Sequence, residues 1–211
     1  MSSALLTLAD SRLPAGGHTH SGGVEQAIAA GVVRDPGSLS TFLRRRLATS
    51  GAVSAGLAAA ACGADASTLA RLDEEADART PSPAVRAASR QQGRGLMRVG
   101  RRAWPSASWD ALPALPHHPI ALGIAAALAG LGPREAAQAA AYLSISGPAT
   151  AAQRLLAMDP LTVAAVTARL APEIDATAAA ATRSGLPAAT DPLLDLLAEV
   201  HAARKDRFFA S

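Results

Sequence analysis

The feature that most constrains how this chain can fold is the placement of its prolines. Asp35-Pro36 and Asp191-Pro192 each set an acid able to cap a helix before a proline at the first helical position, where the missing N–H would have had no partner anyway. His118-Pro119 and Pro133 mark two further starts, and Pro160 and Pro172 punctuate the stretch beyond them. Between these marks apolar residues recur close to helical spacing, as in Leu39, Phe42, Leu43, Leu47, Val53 and Leu57. Period-two alternation is absent and β-branched residues are sparse, so no segment reads as a strand. The pattern predicts an all-α fold, a single compact bundle-like domain of about ten helices over residues 1–211.

The expected helices run Ser3–Asp10, Ser21 or Gly22 to Ala30, Pro36 past Leu57, Leu69–Ala78 and Ala84–Trp104. His118 or Pro119 then opens an apolar helix to Gly130. Arg134–Tyr142 follows, with a kink or break at Gly147-Pro148 before Ala149–Met158. Leu161–Ala171, Glu173–Arg183 and Leu193–Ala203 complete the set. In the longest polar helix Arg86, Arg90, Arg94 and Arg98 repeat every four residues and share one face. That face is either solvated or a contact surface for an acidic partner.

Composition closes several functional classes. Hydrophobic residues make up 49% of the 211 positions, enough for a core, and many are alanine. Aromatics are 3% and net charge is only +3, a poor basis for nucleic-acid binding. Cys62 is the sole cysteine, so no intrachain disulfide or cysteine zinc site can form. Met1–Ala9 lacks a basic leader, and the longest apolar stretch, Ile120–Leu131, is too short to span a bilayer. The expectation is a cytoplasmic protein with no membrane partner.

Catalytic signatures are missing as well. There is no G-x-x-x-x-G-K-[ST] phosphate loop, and the only lysine is Lys205. Gly51-Ala52-Val53-Ser54-Ala55-Gly56 lies in a helical pattern without the strand a nucleophile elbow needs. His18 and His20 sit two apart in a loop and His117-His118 are adjacent, but no metal-ligand spacing such as H-E-x-x-H is present. The expectation is a non-enzyme with no cofactor and no resident metal.

One segment stands apart: Leu13-Pro14-Ala15-Gly16-Gly17-His18-Thr19-His20-Ser21-Gly22-Gly23-Val24-Glu25. Pro14 fixes φ, four glycines open conformations closed to other residues, and Glu25 falls in the first turns of the next helix. Such a loop is either a tight helix connection or a preorganised recognition element that loses little entropy on binding.

With Leu8-Ala9-Asp10-Ser11-Arg12 before it, this segment resembles the N-terminal signature of the UreF family of urease accessory proteins, L-x-D-S-x-x-P-x-G-G/S-x-x-H-S-G-G-L-E. Val24 stands for the usual leucine, and His18 takes a place usually held by an aromatic residue. Gln92-Gly93-Arg94-Gly95-Leu96-Met97 resembles the family's arginine-bearing helix, and His118-Pro119-Ile120-Ala121-Leu122-Gly123 its H-x-P-V-A-L-G segment. Gln153-Arg154-Leu155-Leu156 is similar to a further motif, although Gly147-Pro148-Ala149 departs from the usual G-Q. The tail Arg204–Ser211 resembles the family's basic, aromatic C-terminus.

The resemblance implies an all-α, dimerising accessory protein that joins a complex with UreD/UreH and the GTPase UreG and modulates that GTPase, the complex delivering nickel to apo-urease and helping carbamylate its active-site lysine. It further implies that segments 1–20 and 204–211 are partner-binding extensions and that the tail orders on UreD/UreH. The partner-binding residues it points to are Pro14, Gly16, Gly17, His18, Ser21, Gly22, Gly23, Glu25, Arg94, Arg204, Arg207, Phe208 and Phe209. Arg207 matches the tail arginine, and His18 the loop aromatic, of the site for the GTPase. Without the resemblance, a standalone ligand- or metal-binding regulatory module is the other reading.

Overall fold

In a computed structural model of the chain, the structure describes residues 2–10, 13–15, 17–183 and 185–211. Those residues form α1 (Ser3–Ala9), α2 (Val24–Ala29), α3 (Pro36–Arg46), α4 (Ala52–Ala61), α5 (Ala66–Ala78) and α6 (Pro83–Ala103), then α7 (His118–Leu128), α8 (Pro133–Leu155), α9 (Pro160–Arg169), α10 (Ala171–Ala181) and α11 (Pro192–Ala203). No strand occurs among them. The fold is all-α, as the periodicity predicts.

The cap-plus-proline boundaries form as expected. Asp35 Oδ1 accepts the Ser38 N–H at 2.7 Å, and Asp191 Oδ1 accepts the Leu193 N–H at 3.1 Å. Asp159-Pro160 is a third such pair, with Asp159 Oδ2 taking the Thr162 N–H at 2.8 Å. Each acid satisfies a donor that the helix itself leaves unpaired.

Helices α4, α7 and α8 form the centre and pack on one another. Their contact faces are built from small residues: Ala55, Ala58 and Ala61 on α4, Ala121 and Ala125 on α7, and Ala137 and Ala141 on α8 are fully buried. Small side chains allow short interaxial distances. At Gly123 the approach is closest, because a Cβ there would sit 2.6 Å from the Ala58 carbonyl oxygen. Around this centre α6 packs on α7, α10 on α8 and α4, and α11 on α6 and α2.

One expectation changes. The break at Pro148 does not occur, and α8 runs unbroken from Pro133 to Leu155. Pro148 cannot donate to the carbonyl of Ser144, but Arg46 Nε does so instead, at 2.7 Å, which removes the reason to break. The helix expected from Pro36 past Leu57 runs continuously through α3 and α4, with a π-helical segment over Leu47–Gly51 that the periodicity did not foretell.

The arginine face of α6 divides. Arg90 donates to Asp73 at 3.0 Å, to Asp77 at 2.5 Å and to the Leu115 carbonyl at 2.7 Å, and Arg86 donates to the Thr80 carbonyl at 2.7 Å. These two fasten α6 to α5 and to the connection before α7. Arg94 and Arg98, further along, are exposed. His117 completes the junction: its Nε2 meets Asp77 at 2.9 Å, its Nδ1 meets Ser89 Oγ at 3.0 Å, and its backbone N–H donates to Asp73 at 2.8 Å.

Candidate functional site: a tail seated on a glycine loop

The loop before α2 is shaped by close approaches. A Cβ on Gly95 of α6 would drive into the backbone of Ala15. Gly22 lies at φ +60°, and a Cβ there would sit 2.8 Å from Pro148 Cγ and 3.2 Å from Arg46 Cζ. Gly23 follows at φ +87° as the residue capping α2. Left-handed backbone is cheap only for glycine, so Gly22-Gly23 is the turn that swings Val24 and Glu25 inward, where both are buried.

Glu25 then acts as the receptor for the C-terminal tail. Its Oε1 accepts the Phe208 N–H at 2.7 Å and its Oε2 accepts the Phe209 N–H at 2.9 Å. His201, at the end of α11, brings Nε2 to the same Oε2 at 3.0 Å. Burial alone would raise the Glu25 carboxyl, but the Phe208 amide, the His201 ring and the Phe209 amide outweigh it and hold it below its ordinary value. Further bonds zip tail to loop. Ala210 N–H donates to the Thr19 carbonyl at 2.8 Å, the Ser21 N–H donates to the Ser211 carbonyl, and His20 Nδ1 lies 2.6 Å from Ser211 Oγ. Arg204 Nη1 reaches Gln26 Oε1 at 3.1 Å.

The residues singled out in the sequence therefore divide by position. Pro14, Gly17, His18, Arg94, Arg207 and Phe208 are exposed, Phe208 at 84%. Ser21, Glu25 and Phe209 are buried, and Gly22, Gly23 and Arg204 are half-buried. Gly16 lies outside the described residues, as do Ser11 and Arg12 of the same motif. Arg207 donates to the Ala202 carbonyl at 3.4 Å, and it borders the same cavity as His18.

That cavity, of about 640 Å³, lies beneath the loop and tail. Sequence reasoning missed two of its polar residues. His201 gives no local sign of its bond to Glu25, 176 positions away. Arg46 is one of three consecutive arginines, with nothing to mark it as the one turned inward. Burial pushes its guanidinium down to about 10, still charged at neutral pH. His118 is lowered to about 4, by burial first and then by His20, and His20 is lowered by burial and by His18. Both rings are neutral at pH 7. Among the described residues, no group of three or more His, Cys, Asp or Glu side chains is placed to hold a metal ion.

Fold and site together define an all-helical protein whose distinctive polar features gather where a glycine loop receives its own tail. The sequence model of the UreF family matches residues 33–171. The chain is 54% identical over 207 residues to a urease accessory protein UreF of Mycobacterium marinum, covering 98% of this chain and 97% of that protein. It is 53% identical over 209 residues to the protein of that name from Mycolicibacterium vanbaalenii and 48% identical over 207 residues to that of Mycobacterium tuberculosis, with the same coverage. The chain belongs to the UreF family, whose members are accessory proteins and not themselves urease. Its role lies in urease maturation. No helix among the described residues is long and apolar enough to cross a membrane.

Proposed function

We propose that residues 1–211 act as one helical domain that bridges UreD/UreH and the GTPase UreG, modulates that GTPase, and works as a homodimer on apo-urease during nickel insertion. The extensions 1–20 and 204–211 carry the partner contacts, and the chain performs no catalysis of its own. The observation that supports this most is the Glu25 clamp, which makes loop and tail a single surface. A preorganised surface binds without the cost of ordering it. On it stand a projecting aromatic ring, Phe208, and exposed cations at Lys205 and Arg207, and Arg94 is exposed on α6. Aromatic and arginine side chains are the usual anchors of protein interfaces. Phe208 and Arg207 are the expected anchors, with His18 beside them.

Deletion of Arg204–Ser211 tests the reading. The deleted chain should keep its helical circular dichroism and lose capture by UreD and UreG in a pull-down. Undiminished capture of both partners would refute it. Arg207→Ala and Phe208→Ala should each weaken capture at least tenfold, the typical cost of removing an interface anchor.

A further inference from the structure

Helix α6 carries six arginines and no acid over its 21 residues. The carboxylates that answer those arginines belong to other segments. Asp73 and Asp77 of α5 take Arg90, Asp77 also takes Arg86, and Asp110 takes Arg101 at 2.7 Å. Arg94, Arg98 and Arg102 are left over. All three are exposed, and among the described residues none of them forms an ion pair or a side-chain hydrogen bond. They recur every four residues, so like charges stand one turn apart, a spacing that weakens a helix. The negative end of the helix dipole favours cations in the last turn, which accounts for Arg102. Arg94 and Arg98 lie before that turn and have no such local role.

The row adjoins the loop surface. Gly95 faces the glycine loop, since a Cβ there would sit 2.2 Å from the Ala15 carbonyl oxygen. Arg98 and Arg102 lie three and seven residues further on, spacings that keep to one helix face. They extend, by about 10 Å, the face of α6 on which the loop rests. Arg94 is the neighbour of Gly95 in the chain.

The charge decides what fits there. A second copy offers no match, because α5 is the acidic helix and its Asp73, Glu75 and Asp77 already pair with Arg90, Arg79 and Arg86 of the same chain. Nucleic acid fits less well than protein. Three cations neutralise only about three phosphates, and α6 carries no aromatic ring on which a base could stack. A guanidinium fork, by contrast, pairs a carboxylate through two bonds.

We propose that Arg94, Arg98 and Arg102 form a docking surface for a row of carboxylates on a protein partner, spaced about 6 Å apart to match one turn and a little more of α6. This rests on the bridging reading above and adds an electrostatic contact beside the loop, one that speeds the encounter with the partner.

Association of the full chain with purified UreD, UreG and apo-urease, followed by surface plasmon resonance at about 50 and about 500 mM NaCl, tests it. In Arg98→Glu/Arg102→Glu, checked for native circular dichroism, the association rate with at least one of the three should fall roughly tenfold at low salt. The gap should close to within about twofold at high salt, where exposed charges are screened. Arg98→Lys/Arg102→Lys should keep most of the rate. Should the charge-reversed chain not fold, Arg98→Gln/Arg102→Gln replaces it, with a loss of roughly threefold expected and the same salt comparison deciding. An equal loss at both salt concentrations would mark a structural defect and overturn the surface. If the unaltered chain captures none of the three proteins, the bridging reading falls and this surface with it. If it captures them and the altered chain does so equally fast, the surface alone falls. Tighter binding of a DNA duplex than of any of the three proteins would also overturn it.

Discussion

Glu25 carries three hydrogen bonds on two oxygens, two from consecutive tail amides and one from His201. Replacing it by glutamine turns one oxygen into an NH2 group that faces donors. Glu25→Gln should cost about 1–3 kcal/mol of tail closure. Hydrogen exchange at the Phe208 and Phe209 amides should accelerate at least tenfold while core helices keep their protection. The pH dependence has a definite sign. The folded carboxyl titrates below its ordinary value of about 4.5, so the clamp is fully present above that value and is lost as pH falls through the lowered one. Tail protection should be flat from neutral pH to about 5 and collapse only in acid. Gly22→Ala should fail differently, by strain: positive φ and the Pro148 contact together predict a loss of about 1–3 kcal/mol in thermal unfolding.

Among the elements, α6 shows what sequence can and cannot disclose. Its glycines interrupt a helical pattern and look like weaknesses. In the structure Gly93 admits the carbonyl of Pro116, Gly95 admits Ala15 and Gly100 admits the ring of Trp109. Gly93→Ala should therefore loosen the α6–α7 junction and lower the melting temperature. Gly95→Ala should leave the core intact and displace the loop, so capture of partners falls while the melt hardly moves. Helix starts were legible because cap and proline sit side by side in the chain. The continuity of α8 was not, because the donor that rescues it, Arg46, is 98 residues from Ser144. The even spacing of Arg86, Arg90, Arg94 and Arg98 likewise conceals a division, since the acids claiming Arg86 and Arg90 belong to another helix. In the loop, sequence located the glycine turn but not the inward aim of Glu25, which depends on a tail at the far end of the chain.

At the scale of the whole molecule, the neutral histidines predict a second pH window, distinct from that of Glu25. His20, His117 and His118 all titrate below the usual 6.5, burial being the leading cause in each. A histidine with a lowered folded value binds its proton more readily when unfolded, so its contribution is complete above 6.5 and drains away toward the folded value. Thermal stability should decline steadily from pH 6.5 to about 4, the value reached by His118. His118→Gln should flatten the lower part of that decline in a series of melts. The clamp between Glu25 and Phe209 joins residues 184 positions apart. Contacts of such long reach close late, after the core they span. A chain still emerging from the ribosome has its glycine loop but not yet the segment that completes it. On the proposed reading, competence to dock waits for residues 204–211 to meet the loop, and a copy truncated before them would occupy none of the partners that a copy carrying them needs.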